Sequence, residues 1–167
     1  MNMQPMMGES KKGQFRPPLL GCVARDAFMA NALKSCYIET FSLISANIYR
    51  SLRCAERERT LSDVFERAAV EDLERFRRVG ELIMALGGDA ELRSVRSKRC
   101  FSTRGEASHV FLEEGIKERQ RAIDRYETLM SKTGDRVVRS ILSSLLSGER
   151  RALEQLWEQR EKNCGFS

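Results

Sequence analysis

Residues 72–88 read DLERFRRVGELIMALGG. Apolar side chains return every three or four positions through this stretch and just before it, at Phe65, Ala68, Phe76, Val79, Ile83 and Leu86. That period lays a single stripe along an amphipathic helix. The pair Gly87-Gly88 is a helix-ending signal, because glycine accepts the left-handed backbone of a C-terminal cap. Asp72 falls on the stripe itself. A lone carboxylate there is costly unless protons, a metal or positive partners accompany it.

The same interruption recurs three times. Glu149 stands among Val138, Leu142, Leu145, Ala152 and Leu156, and Glu118 among Phe111, Gly115, Ala122, Tyr126 and Leu129. Glu39 stands among Ala32, Cys36, Leu43 and Ala46. The steps predict four helices, each with one acid on its buried face. The plainer alternative is that some of the acids turn to solvent at a helix flank.

Helix one is expected from about Ala24 to Arg57. Thr60-Leu61-Ser62-Asp63 reads as the start of helix two, which runs to the glycine pair. Helix three is expected from about Arg104 to Lys132 and helix four from Gly134-Asp135 to about Lys162. Two of the joins are only a few residues long and predict antiparallel hairpins. The middle connection, 89–103, has about 15 residues and reaches roughly 50 Å when extended. A helix of about 27 residues is roughly 40 Å long. The connection can therefore cross the whole bundle and leave helices two and three parallel. The expected fold is all-α, a four-helix bundle of two hairpins joined by a long crossover, over 23–163. Residues 1–22 read as a flexible arm.

At 167 residues the chain is long enough for one domain with a real core. All three prolines lie at positions 5, 17 and 18, so none breaks a later helix. No run of about 20 apolar residues is present, so no membrane span is expected. The five cysteines form no C-x-x-C pair, which argues against a thiolate metal module. With no secretory signal visible, a cytoplasmic protein with reduced thiols is the simplest expectation. The net charge of +5 suits a solvated surface. The basic run Arg93, Arg96, Lys98 and Arg99 within 93–104 leaves open an anionic or nucleic-acid partner, although it lacks the interleaved aromatics of a single-strand binder.

Three segments carry a family resemblance. Residues 72–88 look like a second helix in which Glu-x-x-His is followed by Leu-Gly-Glu-Leu-Ile and Leu-Gly-Gly. LEEGIKERQRAIDRY, residues 112–126, looks like a third helix with its glutamate at Glu118. Glu149-Arg150-Arg151-Ala152 falls where a fourth helix carries a second Glu-x-x-His. The chain resembles the ferritin-like superfamily, and within it the rubrerythrin and manganese-catalase-like bundles, over about 24–162. The resemblance implies a ferritin-like fold and two metal ions held by four carboxylates and two histidines. It implies Glu39, Asp72, Glu118 and Glu149 as the carboxylates.

Both implied histidines are absent. Arg75 stands at one place and Ala152 at the other, and Asp72 is one methylene shorter than the family's glutamate. The single histidine, His109, lies nine residues before Glu118 on the opposite side of the helix. A guanidinium stays charged and can grip two carboxylates at once, so Arg75 is the expected substitute for metal. Arg50 and Arg125 fall near the same faces. Three states stay open: an arginine-held carboxylate cluster without cofactor, one surviving metal on some of Glu39, Glu118 and Glu149, or a full two-metal site. The first implies a non-catalytic structural or regulatory protein, expected as a homo-oligomer. The others imply an oxidoreductase using iron or manganese on peroxide or oxygen.

Overall fold

The computed structural model describes residues 25–92 and 108–164. The arm expected over 1–22 and the basic run Arg93, Arg96, Lys98 and Arg99 lie outside these. The described residues form four helices and no strand: α1 (Ala27–Cys54), α2 (Arg59–Ala85), α3 (Ser108–Lys132) and α4 (Arg136–Cys164). None is long and apolar enough to cross a membrane.

Local chemistry sets the helix ends. Asp26 caps α1, its Oδ1 accepting from the Met29 amide at 2.9 Å. Asp135 caps α4 by accepting from the amides of Val137 and Val138, at 2.7 and 3.1 Å. Such caps are each worth about 1 kcal/mol. The start of α2 differs from the expectation. The helix begins at Arg59, and Glu58 at the N-cap makes no side-chain capping bond. Ser62 lies inside the first turn and donates instead to the Ser51 carbonyl at 3.0 Å, which clamps the α1–α2 corner. At the other end, Gly87 takes φ 83°. The Gly88 amide donates to the Ile83 carbonyl and the Gly87 amide to that of Met84, closing the helix in a Schellman motif.

α1 packs along α2 and α3 along α4, while α1 also touches α3 and α2 touches α4. The start of α3 lies beside the α1–α2 corner: Ser108 donates to Glu58, and the rings of Tyr49 and Phe111 meet edge to face at 6.3 Å. The apolar core has two parts. One gathers Met29, Leu33, Val79, Leu82, Ile83, Tyr126, Leu142 and Leu145 toward one end. The other gathers Leu61, Phe65, Phe111, Leu112, Ile116 and Leu156 toward the opposite end. Each fully buried leucine or phenylalanine contributes roughly 1.5–3 kcal/mol. The positions between the two parts are held by charged residues.

Candidate functional site

The middle layer takes residues from all four helices. Asp72 on α2 is fully buried, and Glu149 on α4 is 1% exposed. Arg119 on α3 lies between them at 2%. Its Nη1 and Nη2 donate to the two Asp72 oxygens at 2.6 and 2.7 Å, a bidentate fork. Nη1 also donates to Glu149 Oε2 at 3.0 Å. Arg75, one turn after Asp72, donates to Asp72 Oδ1 at 2.6 Å and to the Gly148 carbonyl at 3.1 Å. Its Nε lies 3.6 Å from Glu149 Oε1. Gly148 leaves room for this guanidinium, since a Cβ there would sit 3.2 Å from Arg75 Nε, closer than an ordinary van der Waals contact.

Asn47 on α1 completes the shell of Asp72. Its amide nitrogen donates to Oδ2 at 2.8 Å, and its oxygen accepts from Arg50 Nη1 at 3.2 Å. Arg50 then forks onto Glu118, at 2.8 and 3.1 Å, and reaches Glu114 at 3.2 Å. The result is one continuous chain of polar contacts, Glu149–Arg119–Asp72–Asn47–Arg50–Glu118, with Arg75 closing its inner end. Three guanidiniums face three acids within the layer, Asp72, Glu118 and Glu149, and two of them also pair with half-exposed acids outside it, Arg50 with Glu114 and Arg75 with Glu71 at 2.9 Å. That pairing is what allows Asp72, Glu149 and Arg119 to be buried, because an uncompensated charge would be expelled or neutralised.

The four acids thus divide. Asp72 and Glu149 meet around the same guanidiniums. Glu118 is 11% exposed in its side chain and lies at the rim, held by Arg50. Glu39 is a correction to the sequence reading, because its side chain is 47% exposed and pairs with Arg125 at the surface. The buried seam of α1 runs Cys36, Thr40, Leu43, Asn47, Arg50 and Cys54. A step of four from Cys36 selects Thr40, and Glu39 is then turned about 100° off the seam. The seam of α3 likewise runs Ile116, Arg119, Ile123, Tyr126 and leaves Glu118 at its edge.

Asn47 and Arg119 are the residues that the sequence reading did not select. Asn47 is three positions before Arg50, and Arg119 is adjacent to Glu118, so a stripe shifted by one residue contains both.

Electrostatics follow the geometry. Burial opposes the charge on Arg119, but the Asp72 and Glu149 carboxylates outweigh it and raise its pKa above the ordinary guanidinium value. Burial also raises the Tyr126 phenol well above its usual range, with Cys36 and Glu149 adding to the shift. The Cys36 thiol is pushed up to about 11, mainly by burial and against the pull of Arg125. A thiol with a raised pKa keeps its proton in the fold. Its stabilising contribution is complete below about pH 9, the ordinary value, and is lost as pH rises toward 11. The urea midpoint of the wild type is therefore expected to fall between pH 8.5 and 10.5 by more than that of Cys36→Ala. Equal falls in the two proteins would contradict the shift.

A carboxylate has about four lone-pair positions, and Asp72 uses them on two contacts from Arg119, one from Arg75 and one from Asn47. Ala152 offers no donor atom, and Glu39 faces outward. Among the described residues no three His, Cys, Asp or Glu side chains are gathered as a metal cluster. The donor set in this arrangement does not fit a two-metal centre. What it can do chemically is bind charge to charge across four helices.

No family model matches this chain, and no curated protein matches it.

Proposed function

We propose that the chain is a ferritin-like bundle whose di-metal position has been taken over by arginine, and that its role is structural or regulatory rather than catalytic. One observation carries this reading: Asp72 accepts four hydrogen bonds, three of them from guanidiniums, at the place where the family resemblance implies a metal ligand. A cation brought to these oxygens would have to displace Arg119 and Arg75 and then sit beside their positive charge. The topology of two hairpins and a crossover is part of the same proposal. The contact of Ser108 with Glu58 supports it, because it sets the start of α3 beside the start of α2.

In this reading the polar layer acts as a register device. Each helix contributes at least one member, and sliding any helix by a turn would strand a buried charge. Buried polar groups serve registry in this way in other bundles.

Metal content is the direct test. Protein purified from a culture supplemented with iron and manganese is expected to carry well under one equivalent of either by mass spectrometry. Two equivalents that survive dialysis, and that are lost in Glu118→Ala and Glu149→Gln, would overturn this reading in favour of a metal-binding site.

A further inference from the structure

The outward face of the α1–α2 hairpin carries a second apolar pattern that the core does not use. On α1 it runs Ile38, Phe41, Ser45, Ile48 and Leu52, in alternating steps of three and four. On α2 it runs Val70, Leu73, Arg77 and Met84, in steps of three, four and seven. The apolar members of both rows are exposed, with Leu52 at 70% and Val70 at 66%. The rows are joined across the hairpin: Tyr37 stacks on Phe76 at 4.1 Å, and Phe41 lies 5.8 Å from the same ring. Val70, Leu73, Arg77 and Tyr37 line a shared groove.

We infer that this face seats a second copy of the chain, paired about a two-fold axis near Ser45. Three features support it. The first is spacing. The alternation on α1 is the 3.5-residue period of helices that pair along a seam, and the seam that α1 buries inside the bundle, Cys36, Thr40, Leu43, Asn47, Arg50 and Cys54, follows it too. The second is self-complementarity, which a two-fold interface demands. About Ser45, an antiparallel pairing sets Leu52 of one protomer against Ile38 of its partner, and Ile48 against the Phe41-Ser42 segment. Lys34 and Glu56 stand eleven residues to either side of Ser45. The axis brings these opposite charges together, near the Asp63 and Glu66 end of α2. The third is area. The exposed parts of Ile38, Phe41, Ile48, Leu52, Val70, Leu73 and Met84 amount to roughly 700 Å² per protomer, close to the roughly 800 Å² per partner of a standard interface.

The polar groups on the face are already satisfied within one chain. Ser42 and Ser45 donate to the carbonyls of Ile38 and Phe41, at 3.1 and 3.4 Å. Arg77 pairs with Glu74, at 2.7 Å, and with Glu81 on its own helix. Covering the face therefore strands no donor, and the small Ser45 lets the two α1 helices approach closely. This inference is independent of what the buried polar layer once bound.

Sedimentation equilibrium of the full chain tests it, alongside two variants. Wild type is expected at twice the 19.1 kDa chain mass, and Leu52→Glu at the single-chain mass with an unchanged helical circular dichroism spectrum. Ser45→Cys is expected to give a reducible covalent dimer on mild oxidation, while Ser143→Cys on α4 gives no more than wild type. A wild type at single-chain mass overturns the inference, and its co-sedimentation with anionic vesicles would then assign the face to lipid. A doubled mass that persists in Leu52→Glu, or Ser45→Cys that cross-links no better than Ser143→Cys, overturns the two-fold pairing.

Discussion

Arg119→Met is expected to lower the free energy of unfolding by about 3–5 kcal/mol, the usual cost of removing one partner from a buried ion pair. The change keeps most of the side-chain volume and removes the fork that holds both Asp72 oxygens and reaches Glu149. Two carboxylates would then share the interior with Arg75 alone, since Arg50 is committed to Glu118 at the rim. Urea unfolding followed by circular dichroism measures the loss. The size of the loss belongs to the stranded acids rather than to the arginine. Adding Asp72→Leu to Arg119→Met should therefore recover a large part of it, a positive coupling that independent sites do not show. A loss under 1 kcal/mol in the single variant would mean that Arg119 leaves the layer in solution and that Asp72 finds other partners.

Phe65→Ala is expected to cost a similar amount, about 3–5 kcal/mol, by a different mechanism. Phe65 is fully buried in the apolar cluster between the polar layer and the α1–α2 corner. Truncation leaves a cavity walled by Leu112, Ile116 and Leu156, which are fixed to helices and collapse only in part. The ring also lies under the Arg50 guanidinium, 5.8 Å from its centre. Its loss should loosen the Arg50–Glu118 fork as well as the core. Xenon or benzene binding that raises the variant's melting temperature, with no effect on wild type, would report the cavity directly. A cost near 1 kcal/mol would show that the corner closes over the gap.

The two variants probe the division that organises the molecule. Apolar clusters at either end supply most of the burial, and the charged layer between them supplies little net stability. A buried ionic network roughly breaks even against its desolvation cost. Its effect is on which arrangement of the four helices is allowed. An apolar replacement of the layer could be as stable and yet less particular about helix register.

The four helices were legible in the sequence because burial imposes a 3.6-residue period that solvent exposure does not. The α4 stripe from Val138 to Leu156 is buried at every position named from it. Gly87-Gly88 and Asp135 marked their helix ends because those residues satisfy backbone groups locally. Asp72 and Glu149 were also legible as buried acids, each having apolar neighbours on both sides along one stripe.

Beyond Arg75, which residues meet them was not legible, and the reason is geometric. One residue turns a helix by 100°, so steps of three and four from Cys36 reach Glu39 and Thr40, and both fit a stripe. Only the packing of α1 against α2 and α3 selects Thr40, and with it Asn47 and Arg50, and sends Glu39 to the surface. The same one-residue choice on α3 buries Arg119 in place of Glu118. An arginine in sequence reads as a surface residue, because burying its charge is prohibitive unless acids are waiting for it. That condition depends on side chains 30 and 47 residues away. The sequence by itself determined four amphipathic helices and two acids in their core. The tertiary structure alone decided that a second arginine, Arg119 brought from a third helix, would join Arg75 in neutralising them.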